Sequence, residues 1–285
     1  MKLLTAASLL ALALPGTAWA EDIIPPVVGG QTWVQHRIVA IRAAHPGIAR
    51  IEVEGARDSD KQTIVFGATD DAGKVMQVVE HPLTATGSSR MGRQQVVRLP
   101  FMSNSGHRLG TIAYTFARPA KANLATAQML TSRLALTSLS VKNSLDPWPW
   151  DPAYRRPARA QQLVDRTIAA HPELLVMMIH ATPPGGAHNI VIGSNIARIG
   201  KAADEDDLRV IEKGSTNLEV AESGDRFETE LPLNDASGTR IGALGLVFKL
   251  NPGADKEAIH ARGRAIRDHL ARQISSNAAL FAPAR

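Results

Sequence analysis

A self-similarity at an offset of 126 residues constrains this chain more than any other feature: Ala43-Ala44-His45-Pro46 returns as Ala169-Ala170-His171-Pro172. At the same offset Ile64-Val65-Phe66-Gly67 returns as Ile190-Val191-Ile192-Gly193. Leu99-Pro100 and Ser105-Gly106-His107-Arg108-Leu109-Gly110 return at an offset of 132 as Leu231-Pro232 and Ser237-Gly238-Thr239-Arg240-Ile241-Gly242. Order and spacing persist through nearly the whole chain, and a period this long signals duplication of a domain, not a solenoid. The expected organisation is one copy at 28–145, a Pro/Trp linker at 146–154 and a second copy at 155–278. Residues common to both copies are explained by folding. Polar groups found in one copy alone mark a candidate site.

The amino terminus carries Lys2, an apolar run from Leu3 to Leu14, and a small-x-small ending at Ala18 and Ala20. That pattern is a secretory signal peptide, residues 1–20, with cleavage expected after Ala20. The run is short for a bilayer span, so a soluble periplasmic protein, not membrane-spanning after cleavage, is expected. The chain has no cysteine, which excludes disulfides, thiolate metal sites, thiol nucleophiles and c-type haem attachment. A net charge of +5, spread without a basic run and with 4% aromatic residues, gives no footing for nucleic-acid binding.

Each copy is expected to open with a helix. Val34, Ile38 and Ile41 fall at i, i+4 and i+7, and Leu163, Val164 and Ile168 form the matching stripe. Both helices stop at His-Pro, because the residue before proline is pushed out of the α region; a histidine there also suits the carbonyl end of the helix dipole. Strands follow at 51–54 and 64–66, and at 174–179 and 190–192. A hairpin then turns at Ser105-Gly106 and at Ser237-Gly238. A closing helix carries Ile259, Ile266, Leu270 and Ile274 beneath a basic face that lies either in solvent or on a membrane. Trp148 and Trp150 are assigned to the junction between copies.

This order describes an α+β fold, two tandem PAS/Cache-like domains each built from one antiparallel sheet flanked by helices. The second copy resembles the extracytoplasmic Cache branch through Ser194-Asn195, Arg198-Ile199-Gly200-Lys201, Asp204–Asp207 with Leu208, Gly214, Arg226-Phe227, Leu231-Pro232-Leu233 and 238–245. Cache sensors normally precede a transmembrane helix and an output module, and this chain has neither. The resemblance therefore implies a free-standing periplasmic binding or sensor protein, working through a partner such as a membrane sensor or transporter.

PAS-type domains hold ligands between the sheet and the connecting helices, in a cavity with a few fixed polar groups. In the second copy His180, Asn189, Ser194, Asn195 and Arg198 stand where the first has Glu54, Thr63, Ala68, Thr69 and Ala72. With Lys201 these are the candidate ligand-binding residues. Arg198 and Asn195 offer planar donors to a carboxylate and Lys201 a point charge, so the expected ligand is a small organic anion or an amino acid. An internal ion pair of Arg198 or Lys201 with Asp204 or Asp207 is the competing role. The run 204–207 lacks the pattern of a calcium loop; it reads as the acidic first turn of a short helix, with Leu208 and Ile211 on one face and Gly214 as its stop. His180 and His188 flank a turn and suggest a metal- or metal-complex-binding protein as the alternative, but no third ligand is evident and no metal centre or cofactor is assigned. Hydrolase and nucleotide-binding motifs are absent, and no nucleophile is nominated: binding, not catalysis, is expected.

Overall fold

Thr32 starts the first helix, α1 (Trp33–Ala44), with a capping box: its hydroxyl accepts from the Gln35 amide at 3.4 Å while the Gln35 side chain accepts from the Thr32 amide at 2.7 Å. Two orphan donors are thereby satisfied reciprocally. Val34, Ile38 and Ile41 are buried along one face. The chain then reverses at His45, whose carbonyl accepts from the Ile48 amide at 2.8 Å; the equivalent His171–Leu174 bond is 2.9 Å, after α4 (Ala158–Ala170). The computed structural model describes residues 32–69, 76–78, 86–147, 158–196 and 198–283. The expected signal segment and linker tryptophans lie outside those residues.

The first half continues as β1 (Ile48–Ala56), β2 (Thr63–Thr69), β3 (Met76–Val78), β4 (Gly87–Met91), β5 (Gln94–Met102), β6 (Arg108–Phe116), α2 (Ala122–Leu136) and α3 (Val141–Leu145). After α4 come β7 (Leu174–Ala181), β8 (Ile190–Ser194), α5 (Glu205–Lys213), β9 (Asn217–Val220), β10 (Arg226–Asn234), β11 (Arg240–Lys249), α6 (Lys256–Ala271) and α7 (Asn277–Leu280). The protein is thus α+β with two antiparallel sheets. One has the order β3-β2-β1-β6-β5-β4, the other β8-β7-β11-β10-β9. Without β3 the two orders match element for element, and so do the registers. Glu54, Thr111 and Pro100 stand in line across the first sheet, and His180, Ala243 and Pro232 across the second.

Two glycines explain why the central strands approach so closely. A Cβ on Gly110 would lie 1.9 Å from the Glu54 carbonyl oxygen, and one on Gly242 would lie 1.8 Å from that of His180. The hairpin turns use glycine for a different reason: Gly106 and Gly238 have φ of 96° and 87°, the region that favours a residue without Cβ.

Helices cover one face of each sheet. Ile38 of α1 and Leu130 and Leu134 of α2 meet Ile51, Val53, Ile112 and Tyr114. In the second half Leu163 and Val164 of α4, Ile266 and Leu270 of α6 and Leu280 of α7 meet Ile179, Leu231, Leu244 and Leu246. Each fully buried aliphatic side chain contributes roughly 1.5–3 kcal/mol. Gly263 lets α6 sit on β10, since a Cβ there would come within 2.6 Å of the Thr229 hydroxyl. Sequence pattern missed β4 and β9, which extend each hairpin into a three-stranded meander. Both are edge strands, exposed over nearly all their length, so neither carries the alternation that reveals a half-buried strand.

His36 on α1 supplies a pH dependence. Burial, with Arg37 adding to it, pushes its pKa down to about 4 from 6.5, and its Nε2 is buried without a hydrogen-bond partner. Between those values the unfolded chain binds a proton that the folded chain refuses, so stability falls as pH is lowered through the window. Urea unfolding is expected to register a loss from this residue of about 1 kcal/mol between pH 7 and pH 5, after allowance for partial exposure. A His36→Gln variant should lose that slope, and an unchanged slope would refute the assignment.

Candidate functional site

The second sheet has a polar face opposite α4 and α6. Side chains directly opposed across antiparallel strands point the same way, so Met178 and His180 of β7, Ala243, Gly245 and Val247 of β11, and Glu228, Glu230 and Pro232 of β10 share this face. At one end Leu139 from the first half packs with Val176, Ile196 and Val247, and the Asn104 amide donates to the Leu175 carbonyl at 2.8 Å. The other end, with His180 and Glu230, lies beneath α5.

α5 is fixed at both ends. Asp204 caps it, accepting from the Asp207 amide at 3.3 Å, while the Asp207 carboxylate accepts from the Asp204 amide at 2.8 Å. Gly214 ends it in the left-handed conformation at φ 70°, and Arg240 donates to the carbonyls of Ile211 and Glu212 at 3.1 and 2.8 Å. The expected helix and its stop are therefore observed, with a different inward face. Asp207 and Val210 are buried, whereas Leu208 is 37% exposed. The capping box turns Asp207 toward the sheet, so the acidic first turn does more than complement the helix dipole.

Asp207 Oδ1 lies 3.6 Å from His180 Nε2. Glu230 completes the group, with one ligand-capable atom from each of the three residues within 4.8 Å of the others. Burial, reinforced by the hydrogen bond to Asp207 and the nearby carboxylates, pushes the Glu230 pKa up to about 9. Glu230 is therefore protonated at neutral pH and donates to Asp207. Burial also pushes Glu228 up to about 7, opposed by the charge of Arg198. The imidazole of His180 is held below its usual value by burial, against the pull of Asp207, and is neutral.

The sequence candidates divide into three kinds. His180, Arg198 and Lys201 gather at this face. Burial lowers the pKa of Arg198, while Glu228, Asp207 and Asp204 counter that effect. Lys201 pairs with Asp204 at 2.6 Å and lies 4.0 Å from Asp207 Oδ2. Asn195 and Ser194 are committed to the backbone. The Asn195 amide accepts from Met177 N and donates to Leu175 O, both at 2.9 Å, serving as a ladder partner for β7. The Ser194 hydroxyl accepts from the Ile196 amide at 3.1 Å. Asn189 precedes β8; its backbone carbonyl accepts from Ala203 N at 3.0 Å, and its side-chain oxygen is buried without a partner. His188 is exposed and does not belong to the His/Asp/Glu group found among the described residues.

Asp207, Glu228 and Glu230 are the residues that sequence reasoning did not select. A signal existed for the glutamates. The unbroken apolar run at 241–248 implies a sheet covered on both faces, and carboxylates two apart on a neighbouring strand are then buried.

Comparison with known proteins adds fold-level likeness of low score. No protein-family model matches the chain, and no curated protein does. Among solved structures, a GAF sensor protein from Burkholderia vietnamiensis aligns at 15% identity with a TM-score of 0.32, covering 57% of this chain and 94% of that one. The repressor BlcR of Agobacterium tumefaciens aligns at 10% identity and TM-score 0.31, over 55% and 86% of the two chains. The inducer-binding domain of the Acinetobacter transcription factor PobR, a double mutant in complex with 3-hydroxybenzoic acid, aligns at 12% identity and TM-score 0.27, over 42% and 99%. Likeness at this level carries no statement about ligand or activity.

Proposed function

We propose that the chain is an extracytoplasmic binding or sensor protein made by duplication of one PAS/Cache-like domain, with the second half binding a small ligand and the first serving as a structural copy. The carrying observation is the convergence of the buried His180, Asp207 and Glu230, from β7, α5 and β10, with the half-buried Arg198, Lys201 and Glu228 around them on one face of one sheet. Such clusters of perturbed groups are characteristic of functional sites. The first half has Glu54 and Arg98 in the places of His180 and Glu230, as the matching registers require.

Charge supports one class of ligand over the other. An organic anion was the expectation, but Lys201 already pairs with Asp204 and the charge of Arg198 is opposed by Glu228. Asp207 and Glu230 remain and share a proton. The site is acidic, and it favours a cationic group. The role proposed is binding without turnover, with the output passed to a partner protein.

Thermal-shift screening of amines, amino acids, organic acids and metal ions against the exported protein tests this reading. A cationic ligand is expected to bind, and Asp207→Asn should weaken it about ten- to hundredfold, the equivalent of one charge-assisted hydrogen bond. If an organic acid binds instead and Arg198→Ala abolishes it, the ligand is an anion and the charge argument is wrong.

A further inference from the structure

His180, Asp207 and Glu230 come from three elements separated in sequence, and each is buried, with relative exposures of 2%, 8% and 4%. Their ligand-capable atoms lie within 4.8 Å of one another. Within the group, Glu230 Oε1 is buried with no hydrogen-bond partner, while His180 turns Nε2, not its other ring nitrogen, toward Asp207. Native interiors seldom leave such atoms unsatisfied, and each instance calls for an unseen ion, water or role. Glu230 is more than nine-tenths buried and lies within the cluster itself.

We propose that His180, Asp207 and Glu230 form a binding site for one divalent transition-metal ion of the zinc class, with water completing its coordination. This inference rests on the second half being the binding half. Imidazole and carboxylate both ligate zinc, with bonds of about 2.0–2.2 Å, and three protein ligands with a water in the fourth position make an open zinc site. Two ligands of one ion therefore stand at most about 4.4 Å apart, and a small rotation of the long Glu230 side chain closes the difference. The donor set also discriminates. Calcium and magnesium prefer oxygen ligands in larger number, whereas imidazole suits zinc and its neighbours.

The surroundings are arranged to hold the ligands. The Asp204 amide binds Asp207 Oδ2 at 2.8 Å, leaving Oδ1 directed at His180. Asp204 is thus a positioning residue, of the kind that orients a metal-binding carboxylate from outside. Lys201 lies 4.0 Å from Asp207, but its charge is met by Asp204 at 2.6 Å. Binding breaks the Glu230 O–H bond: the ion takes the carboxylate oxygen, and one proton passes to solvent.

Calorimetry and thermal unfolding of the chelator-stripped full chain with zinc chloride test the site, with calcium and magnesium chloride in parallel. One zinc ion per chain is expected, with a rise in Tm that calcium and magnesium do not produce. Glu230→Gln and His180→Gln should each weaken zinc at least tenfold, while Glu257→Gln, at an exposed position of α6, leaves it unchanged; circular dichroism verifies that each variant is folded. Absence of a zinc response in folded wild type, or equal zinc affinity in Glu230→Gln, overturns the metal site. If an organic amine still binds and Asp207→Asn abolishes it, the wider binding reading survives that failure. If neither zinc nor any amine binds, both fall.

Discussion

Gly242→Ala is expected to cost at least about 3 kcal/mol of stability, and Gly110→Ala a similar amount, because in each case the new methyl carbon occupies the space of a backbone carbonyl. The added carbon would lie 1.8 Å from His180 O and 1.9 Å from Glu54 O. Backbone oxygens on a central strand cannot rotate aside as a side chain would, so the strands must separate by more than an ångström. Gly47→Ala is the control: nothing lies within 4 Å of its Cβ position, and its φ is not positive. Gly106→Ala and Gly238→Ala should fall between, at about 1 kcal/mol, since their space is open but their φ is positive. Urea unfolding of the five variants checks the ranking. Equal midpoints for Gly242→Ala and wild type would mean that β7 and β11 do not approach as described. Unequal losses for Gly110→Ala and Gly242→Ala would weaken the structural equivalence of the two halves.

Glu230→Gln is expected to stabilise the chelator-stripped protein at pH 7 by about 1–3 kcal/mol, although it replaces a buried polar side chain of the cluster. The sign follows from linkage. Glu230 titrates at about 9 when folded against 4.5 as its ordinary value. Its protonated form suits the folded state, so its favourable contribution is full below 4.5 and is lost as pH rises toward 9. At pH 7 the unfolded chain gains by releasing a proton that the folded chain must keep. Glutamine has nearly the same shape, donates to Asp207 as the protonated acid does, and carries no such penalty. Thermal unfolding from pH 5 to pH 8 should therefore diverge, with the variant gaining on wild type as pH rises. A variant less stable than wild type at pH 8 would refute the protonated assignment. The same substitution is expected to abolish tight zinc binding, so it separates stability from binding: a site retained for function at a cost in stability improves in one when it loses the other.

Much of the scaffold was legible because it is written in local pattern and in the repeat. The His-Pro stops place the ends of α1 and α4, proline forbidding the next helical turn. Gly106 and Gly238 place equivalent hairpin turns, and Gly214 places the end of α5. Comparison of the two copies also singled out His180, the one member of the buried triad that was selected in advance. The remaining members are not marked by the pattern of their own segments, and the one signal for the glutamates lies on the neighbouring strand. Phe227-Glu228-Thr229-Glu230-Leu231 has the period of a strand with one face in water, and only the seating of α5 over that face buries the glutamates. Asp207 has the credentials of a first-turn acid, and only its direction toward the sheet makes it a partner of His180. Asn195 and Ser194 are as polar as any binding residue, and their side chains hydrogen-bond the backbone of β7 and of the following turn. Periodicity and capping act over a few residues, so the sequence by itself determined which elements form and in what order. Burial, shared protons and the convergence of His180, Asp207 and Glu230 depend on what covers a surface, and the tertiary structure alone decided that.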